Sequence, residues 1–157
     1  MPVLDEIRQA SKSYAATFEK GDLPMPPGRK FAVVTCMDAR LDPAKFLGLE
    51  EGDAHVIRNA GGLVTDDALR SLTISHHLLG TREAIVIGHT DCGMLTFQDA
   101  QLQEQLNTDF EFHAFPDLEQ RVRESVEAIA ESPLLPESFR ATGFVYDVRS
   151  GRLQEVA

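Results

Sequence analysis

Short apolar runs alternate with helical patterns along most of this chain. A strand that is covered on both faces of a parallel sheet is apolar almost throughout, so continuous apolar runs predict such strands. Three runs of this kind lie at residues 31–35, 54–57 and 84–87. Residues 143–148 predict a fourth strand, and a turn then leads into a short last strand over residues 153–156.

Apolar side chains at helical spacing predict three amphipathic helices. The first helix has Leu4 and Ile7 among its apolar positions, and the segment that contains it ends near Gly21. The second lies between the second and third predicted strands, and Thr65 or Asp66 is placed to cap its first turn. The third is traced by Leu118, Val122, Val126, Ile129 and Ala130.

A proline-rich segment over residues 23–28 divides the chain into two parts. Proline has no N–H donor and a fixed φ, so this segment is predicted to be an extended connector. We therefore expect an N-terminal helical arm with its connector over residues 1–28 and a single α/β domain over residues 29–157. The order of elements predicts a mainly parallel central sheet flanked by helices, with a hairpin at the C-terminal edge.

Composition and charge exclude several classes of function. The 157 residues fit one globular core. The formal charge of −10 repels a phosphate backbone and no Lys/Arg cluster offsets it, so we expect no nucleic-acid partner. No apolar run approaches the roughly 20 residues that span a bilayer, and the chain does not start with a basic region followed by an apolar one. We expect a cytoplasmic protein without membrane contact.

Two cysteines and a histidine follow predicted strands. Cys36 comes just after the first strand, and His89 follows the third in a His89-x-x-Cys92 motif. Ligands gather at the carboxyl ends of parallel strands, so these three side chains are predicted to converge. Two thiolates and an imidazole favour Zn²⁺, with a fourth position for water or substrate. Two buried structural thiols are the alternative, whereas a reducing compartment disfavours a disulfide.

Asp38 and Arg40 lie two and four residues beyond Cys36. The guanidinium can keep the carboxylate ionised and aimed at a water on the metal. Alternatively, Asp38 can bind the metal as a fourth ligand and close the site, and the spacing allows both states. A phosphatase-type Cys and Arg loop is a poorer interpretation, because this loop is short and contains an anionic Asp. Asp91 is predicted to shape its turn rather than to bind the metal.

These motifs carry a resemblance to a known family. The segments over residues 36–40 (CMDAR) and 89–93 (HTDCG), with RNAG at 58–61 between them, resemble the β-class carbonic anhydrases, most closely the compact bacterial branch. The resemblance implies that Cys36, His89 and Cys92 bind Zn²⁺ and that Asp38 and Arg40 form a catalytic dyad. It makes residues 29–157 a zinc-binding catalytic domain.

The resemblance also implies a reaction and an assembly. The reaction is the reversible hydration of a small-molecule substrate, carbon dioxide, to bicarbonate and a proton. The assembly is a homodimer or higher homo-oligomer in which the N-terminal helix embraces the other subunit. Two alternatives stay open: a carbonyl sulfide or carbon disulfide hydrolase with the same zinc site, and a non-catalytic zinc or redox-responsive binding protein in which Asp38 closes the ion.

Overall fold

The structure is a computed structural model that describes residues 2–157. Met1, which is part of the predicted arm, lies outside the described residues. The elements in chain order are α1 (Pro2–Ala16), β1 (Phe31–Cys36), α2 (Pro43–Leu47), β2 (Ala54–Asn59), α3 (Asp66–His77), β3 (Glu83–His89), α4 (Asp99–Leu106), α5 (Leu118–Ala130), β4 (Arg140–Tyr146) and β5 (Leu153–Glu155). A short 3₁₀ helix, Gly93–Leu95, follows β3.

The five strands form one sheet in the order β2-β1-β3-β4-β5. The first four strands are parallel and β5 pairs antiparallel with β4, which confirms the predicted sheet and its C-terminal hairpin. β1 lies between two parallel neighbours and is buried at every residue. In the register of the sheet, Cys36 is opposite Asn59 and His89 is opposite Tyr146. In the pairing of β1 with β3, Thr35 is opposite Ile87, so the carboxyl ends of these two strands lie side by side.

Alternate residues of the central strands pack on opposite faces of the sheet. On one face, Val34 and Val86 pack against Leu72 of α3 and Ile129 of α5. On the other face, Val33 and Ile87 form a second buried cluster, which Phe46 and Leu47 of α2 contact. Burial on both faces explains why these strands are apolar at nearly every position, and it fixes the strand ends that carry the candidate site.

α1 projects from the domain, because none of its residues is buried. The helix ends at Ala16, before the predicted end near Gly21. The reason is a tightened last turn, in which the Thr17 and Phe18 amides donate to carbonyls three residues earlier. The Gly28 amide donates to the Gly52 carbonyl and ties the connector to the domain. Within residues 2–157, no helix has both the length and the apolar character that crossing a bilayer requires.

Three helical segments were not predicted from the sequence, and the bounds of β4 differ from the prediction. The short helices α2 and α4 and the 3₁₀ turn span too few residues for apolar periodicity to appear. β4 begins at Arg140 rather than at residue 143 and ends at Tyr146. It stops there because the Asp147 carboxylate accepts hydrogen bonds from the Arg149 amide and the Ser150 hydroxyl, which turns the chain.

Candidate metal centre

The fold brings Cys36, His89 and Cys92 together at the carboxyl edge of the sheet. Cys36 ends β1, His89 ends β3, and Cys92 lies three residues further along the turn. Their potential ligand atoms all lie within 4.8 Å of one another. The three residues are 4%, 1% and 2% exposed, respectively. This is the convergence that the strand order predicts.

His89 is oriented to offer Nε2 to an ion. Its Nδ1 lies 2.8 Å from the Thr90 carbonyl oxygen, which can only accept a hydrogen bond, so Nδ1 carries the proton in the neutral ring. The opposite atom, Nε2, is buried and has no hydrogen-bond partner. A buried unpartnered nitrogen beside two thiols fits a metal ligand and not a packed core residue. Two structural thiols without a metal would leave this nitrogen unexplained.

The thiols of Cys36 and Cys92 are free, and a hydrogen bond joins them. A hydrogen bond with Cys92 lowers the pKa of Cys36, against the opposing effect of burial. The same hydrogen bond, together with burial, raises the pKa of Cys92. The Gly61 amide lies 3.4 Å from the Cys36 sulfur and also favours its thiolate. The contacts therefore favour one thiolate, on Cys36, and a Cys₂His donor set fits Zn²⁺ with a fourth position left open.

Arg40 holds the Asp38 carboxylate at the edge of this cluster. Its Nε donates to Oδ1 at 3.0 Å and its Nη2 donates to Oδ2 at 2.8 Å. These hydrogen bonds hold the pKa of Asp38 well below its usual range, so the carboxylate is ionised at neutral pH. Oδ2 also lies 3.7 Å from Nε2 of His89. In this arrangement Arg40 engages both oxygens of Asp38.

Arg58 and Asp91 make contacts in the site that the sequence did not predict. Arg58 donates from Nε to the Cys36 carbonyl at 2.9 Å and from Nη2 to the Asp38 carbonyl at 2.8 Å. Arg58 lies at the carboxyl end of β2, which pairs with β1. This adjacency could have predicted that Arg58 lies near Cys36. Asp91 lies outside the ligand cluster and contacts Arg40 instead. No sequence signal connects these two positions.

Four further histidines lie outside the ligand cluster. His55 contacts the Ser75 hydroxyl, His77 contacts the Leu134 carbonyl, and His76 contacts the Thr81 carbonyl. The His113 amide donates to Asp99. These contacts join the four residues to neighbouring parts of the fold and not to the ligand cluster.

Comparisons with known proteins agree with the geometry of the site. A sequence model of the family described as carbonic anhydrase matches residues 31–111, which include all three cluster residues and the Asp38–Arg40 pair. Beta-carbonic anhydrase 1 of Mycobacterium tuberculosis is 47% identical over 162 residues, covering 99% of this chain and 99% of the relative. The chain belongs to the β-carbonic anhydrase family. The predicted resemblance is thereby confirmed.

Some relatives of this β-carbonic anhydrase family member carry a different name. A carbon disulfide hydrolase of Acidianus sp. is 35% identical over 182 residues, covering 97% of this chain and 88% of the relative. Among solved structures, a carbonic anhydrase from Streptococcus mutans superposes with a TM-score of 0.93 at 45% identity, covering 100% of this chain and 99% of that one. The fold of this chain is therefore the fold of the family over its described length.

Proposed function

We propose that this protein catalyses the zinc-dependent, reversible hydration of carbon dioxide to bicarbonate and a proton. In this proposal Cys36, His89 and Cys92 are the metal ligands and Asp38 and Arg40 are the catalytic dyad. The observation that carries the proposal is the buried Cys₂His cluster with an ionised carboxylate held at its edge. The family and the Mycobacterium tuberculosis relative support the same reaction.

The site residues divide the work of the reaction between them. Sγ of Cys36, Sγ of Cys92 and Nε2 of His89 would hold the ion, which when bound supplies Lewis acidity that lowers the pKa of a water at its fourth position. The two thiolates offset the charge of a divalent cation, so turnover is expected to rise from neutral to mildly alkaline pH.

Asp38 contributes a fixed hydrogen-bond acceptor. Its carboxylate cannot donate while it is ionised, so a water beside it must direct its hydrogen toward Asp38 and a lone pair elsewhere. The lone pair is then free to attack the carbon of carbon dioxide. Arg40 keeps the carboxylate ionised and fixes its direction through two hydrogen bonds.

An Asp38→Asn substitution tests the dyad. The amide keeps the size of the side chain but can present a donor, so turnover should fall by about 10²-fold, the low end for loss of a positioned acid or base group. Stopped-flow hydration of carbon dioxide measures turnover, and elemental analysis measures the zinc content. The zinc content should stay at wild-type level.

Asp42→Asn is the matched control for this substitution. Asp42 caps α2 four residues away and accepts the Lys45 amide, a role that asparagine also fills. Its turnover should equal that of the wild type. Full turnover in Asp38→Asn would remove Asp38 from the mechanism, and zinc-loaded wild-type protein without turnover would favour the non-catalytic zinc-binding alternative.

A second candidate reaction is hydrolysis of carbon disulfide or carbonyl sulfide. The similarity to the carbon disulfide hydrolase of Acidianus sp. over nearly the whole chain supports it. Initial rates on carbon dioxide and on each sulfur substrate at matched concentrations separate the two. Rapid sulfide release beside negligible carbon dioxide hydration would replace the leading proposal.

We further propose that the protein is a cytoplasmic homodimer, with residues 1–28 as an arm outside the catalytic domain of residues 29–157. In support, Val3, Ile7 and Tyr14 of α1 are all more than half exposed, which is costly for apolar side chains in an isolated chain. Sedimentation velocity on the full chain is expected to give twice the mass of the chain, and a monomer at micromolar concentration would contradict the dimer.

A further inference from the structure

We propose that Asp91 is a positioning residue that fixes the Arg40 guanidinium and, through it, the Asp38 carboxylate. The inference rests on the proposed function, because it concerns the dyad that the proposed reaction uses. Asp91 itself is not offered as a metal ligand, since it lies outside the ligand cluster.

The contacts of Arg40 form two separate sets. Nε and Nη2, on one edge of the planar guanidinium, donate to the two oxygens of Asp38. Nη1 and Nη2, on the adjacent edge, donate to Asp91, at 2.8 Å to Oδ2 and at 2.8 Å to its carbonyl oxygen. The four hydrogen bonds constrain both the position and the plane of the group, because rotation of the guanidinium would break contacts on both edges.

The backbone of Asp91 makes this double contact possible. Its φ is +55°, in the left-handed region that aspartate tolerates better than most residues. In this conformation its carbonyl and its carboxylate both face the same guanidinium. Asp91 also lies between His89 and Cys92, so one turn supplies two ligand atoms and the anchor for Arg40.

Exposure explains why Arg40 needs a second anchor. The Arg40 side chain is 46% exposed, and an exposed ion pair between flexible side chains is weak and rearranges readily. With Asp38 alone as its partner, the Arg40 guanidinium could move into solvent and release Oδ2 of Asp38, leaving only Oδ1 held, by the Arg40 amide. The Asp91 carboxylate is itself 62% exposed, but the Asp91 carbonyl is a main-chain group of the metal turn, and the two contacts together hold Arg40 against Asp38.

Two substitutions of Asp91 and one control separate the carboxylate from the backbone. Asp91→Gly removes the side chain and adopts positive φ without strain. Asp91→Asn keeps an acceptor oxygen and also tolerates positive φ. Asn107→Gly is the control, because Asn107 is another left-handed residue, at the C-cap of α4. It reports the effect of placing glycine at such a position away from the dyad.

Two measurements on the zinc-loaded protein test the proposal. In Asp91→Gly, kcat should fall roughly tenfold at unchanged zinc content, the scale of losing a residue that orients a site group. Hydrogen exchange of the Arg40 Nε–H, followed by NMR, should accelerate by a similar factor, and this second readout does not depend on activity. Asp91→Asn should recover most of both losses, and Asn107→Gly should match the wild type.

A double-mutant cycle with Arg40→Ala decides whether Asp91 acts through Arg40. If it does, Asp91→Gly has little further effect once Arg40 is absent. Equal losses in both backgrounds would assign the effect to a loosened turn and overturn the inference, as would wild-type kcat and exchange in Asp91→Gly. Failure of the proposed function is a distinct result: the wild type would then lack turnover, while the Nε–H exchange would still report on Asp91.

Discussion

Gly62 offers the sharpest test of how closely the strands and the candidate site are packed. It lies buried in the loop after β2 with a φ of +66°. A Cβ at this position would lie 2.8 Å from the Cys36 amide nitrogen, 2.9 Å from the Thr35 carbonyl carbon and 3.1 Å from the Ile87 carbonyl oxygen. All three atoms are backbone atoms of β1 and β3, so no side chain can rotate away to make room.

The cost of Gly62→Ala has two parts. Left-handed backbone costs a non-glycine residue about 1–2 kcal/mol. Forcing a methyl group against fixed atoms costs about 1–3 kcal/mol more, as in other overpacked interiors. The free energy of unfolding should therefore fall by roughly 2–5 kcal/mol, which lowers Tm by about 10 °C for a domain of this size. Displacement of the Cys36 amide should also weaken zinc binding.

Gly80→Ala is the matched control. Gly80 has a φ of +78°, but no atom lies within 4 Å of the position that a Cβ would take there, so this substitution carries the conformational cost alone. Urea unfolding of both variants at equal protein concentration and saturating zinc isolates the steric part as their difference. We expect Gly62→Ala to lose about 1–3 kcal/mol more than Gly80→Ala. Equal losses would refute the packing argument.

Two further predictions concern pH and metal. Hydrogen bonds from the Ala114, Phe112 and His113 amides lower the pKa of Asp99. The ionised Asp99 carboxylate therefore contributes fully to the free energy of unfolding well above the ordinary Asp pKa of about 3.9. This contribution is lost as the pH falls through the lowered pKa of Asp99 in the folded protein. Urea unfolding should separate wild type from Asp99→Asn at pH 7 and bring them together in acid, and a constant difference would contradict this. Removing zinc with a chelator should lower Tm and expose two thiols to a thiol reagent, because metal binding stabilises the native state; an unchanged calorimetric Tm would count against a bound ion.

The central strands could be predicted because burial on both faces leaves a direct mark on the sequence. Val33 and Val34 pack on opposite faces of the sheet, so the strand has no polar side and its apolar run is continuous. The convergence of Cys36 and His89 followed from topology alone, since adjacent parallel strands end at one edge. Neither inference required the position of a side chain.

The contacts around the dyad could not be predicted in the same way. The contact between Arg40 and Asp91 joins positions 51 residues apart, and it depends on a guanidinium rotamer and on one left-handed φ. Neither property leaves a periodic signal in the sequence. The end of α1 was misplaced for a related reason, because hydrogen bonds in its last turn, and not the apolar pattern, set the boundary.

The buried ligand cluster and the more exposed Asp38–Arg40 pair are held in place in different ways. A metal site needs ligands in fixed geometry, and the proposed ligands Cys36 and His89 obtain it from the ends of strands that are buried in the core. Asp38, the proposed hydrogen-bond acceptor, instead lies on the loop after β1, where its side chain is 16% exposed. A loop group lacks the rigidity of a strand end, and hydrogen bonds must supply it. Arg40 donates to the Asp38 side chain, and Arg58 donates to the Asp38 main-chain carbonyl. The orientation of Asp38 therefore depends on these two arginines more than on the position of Asp38 in the fold.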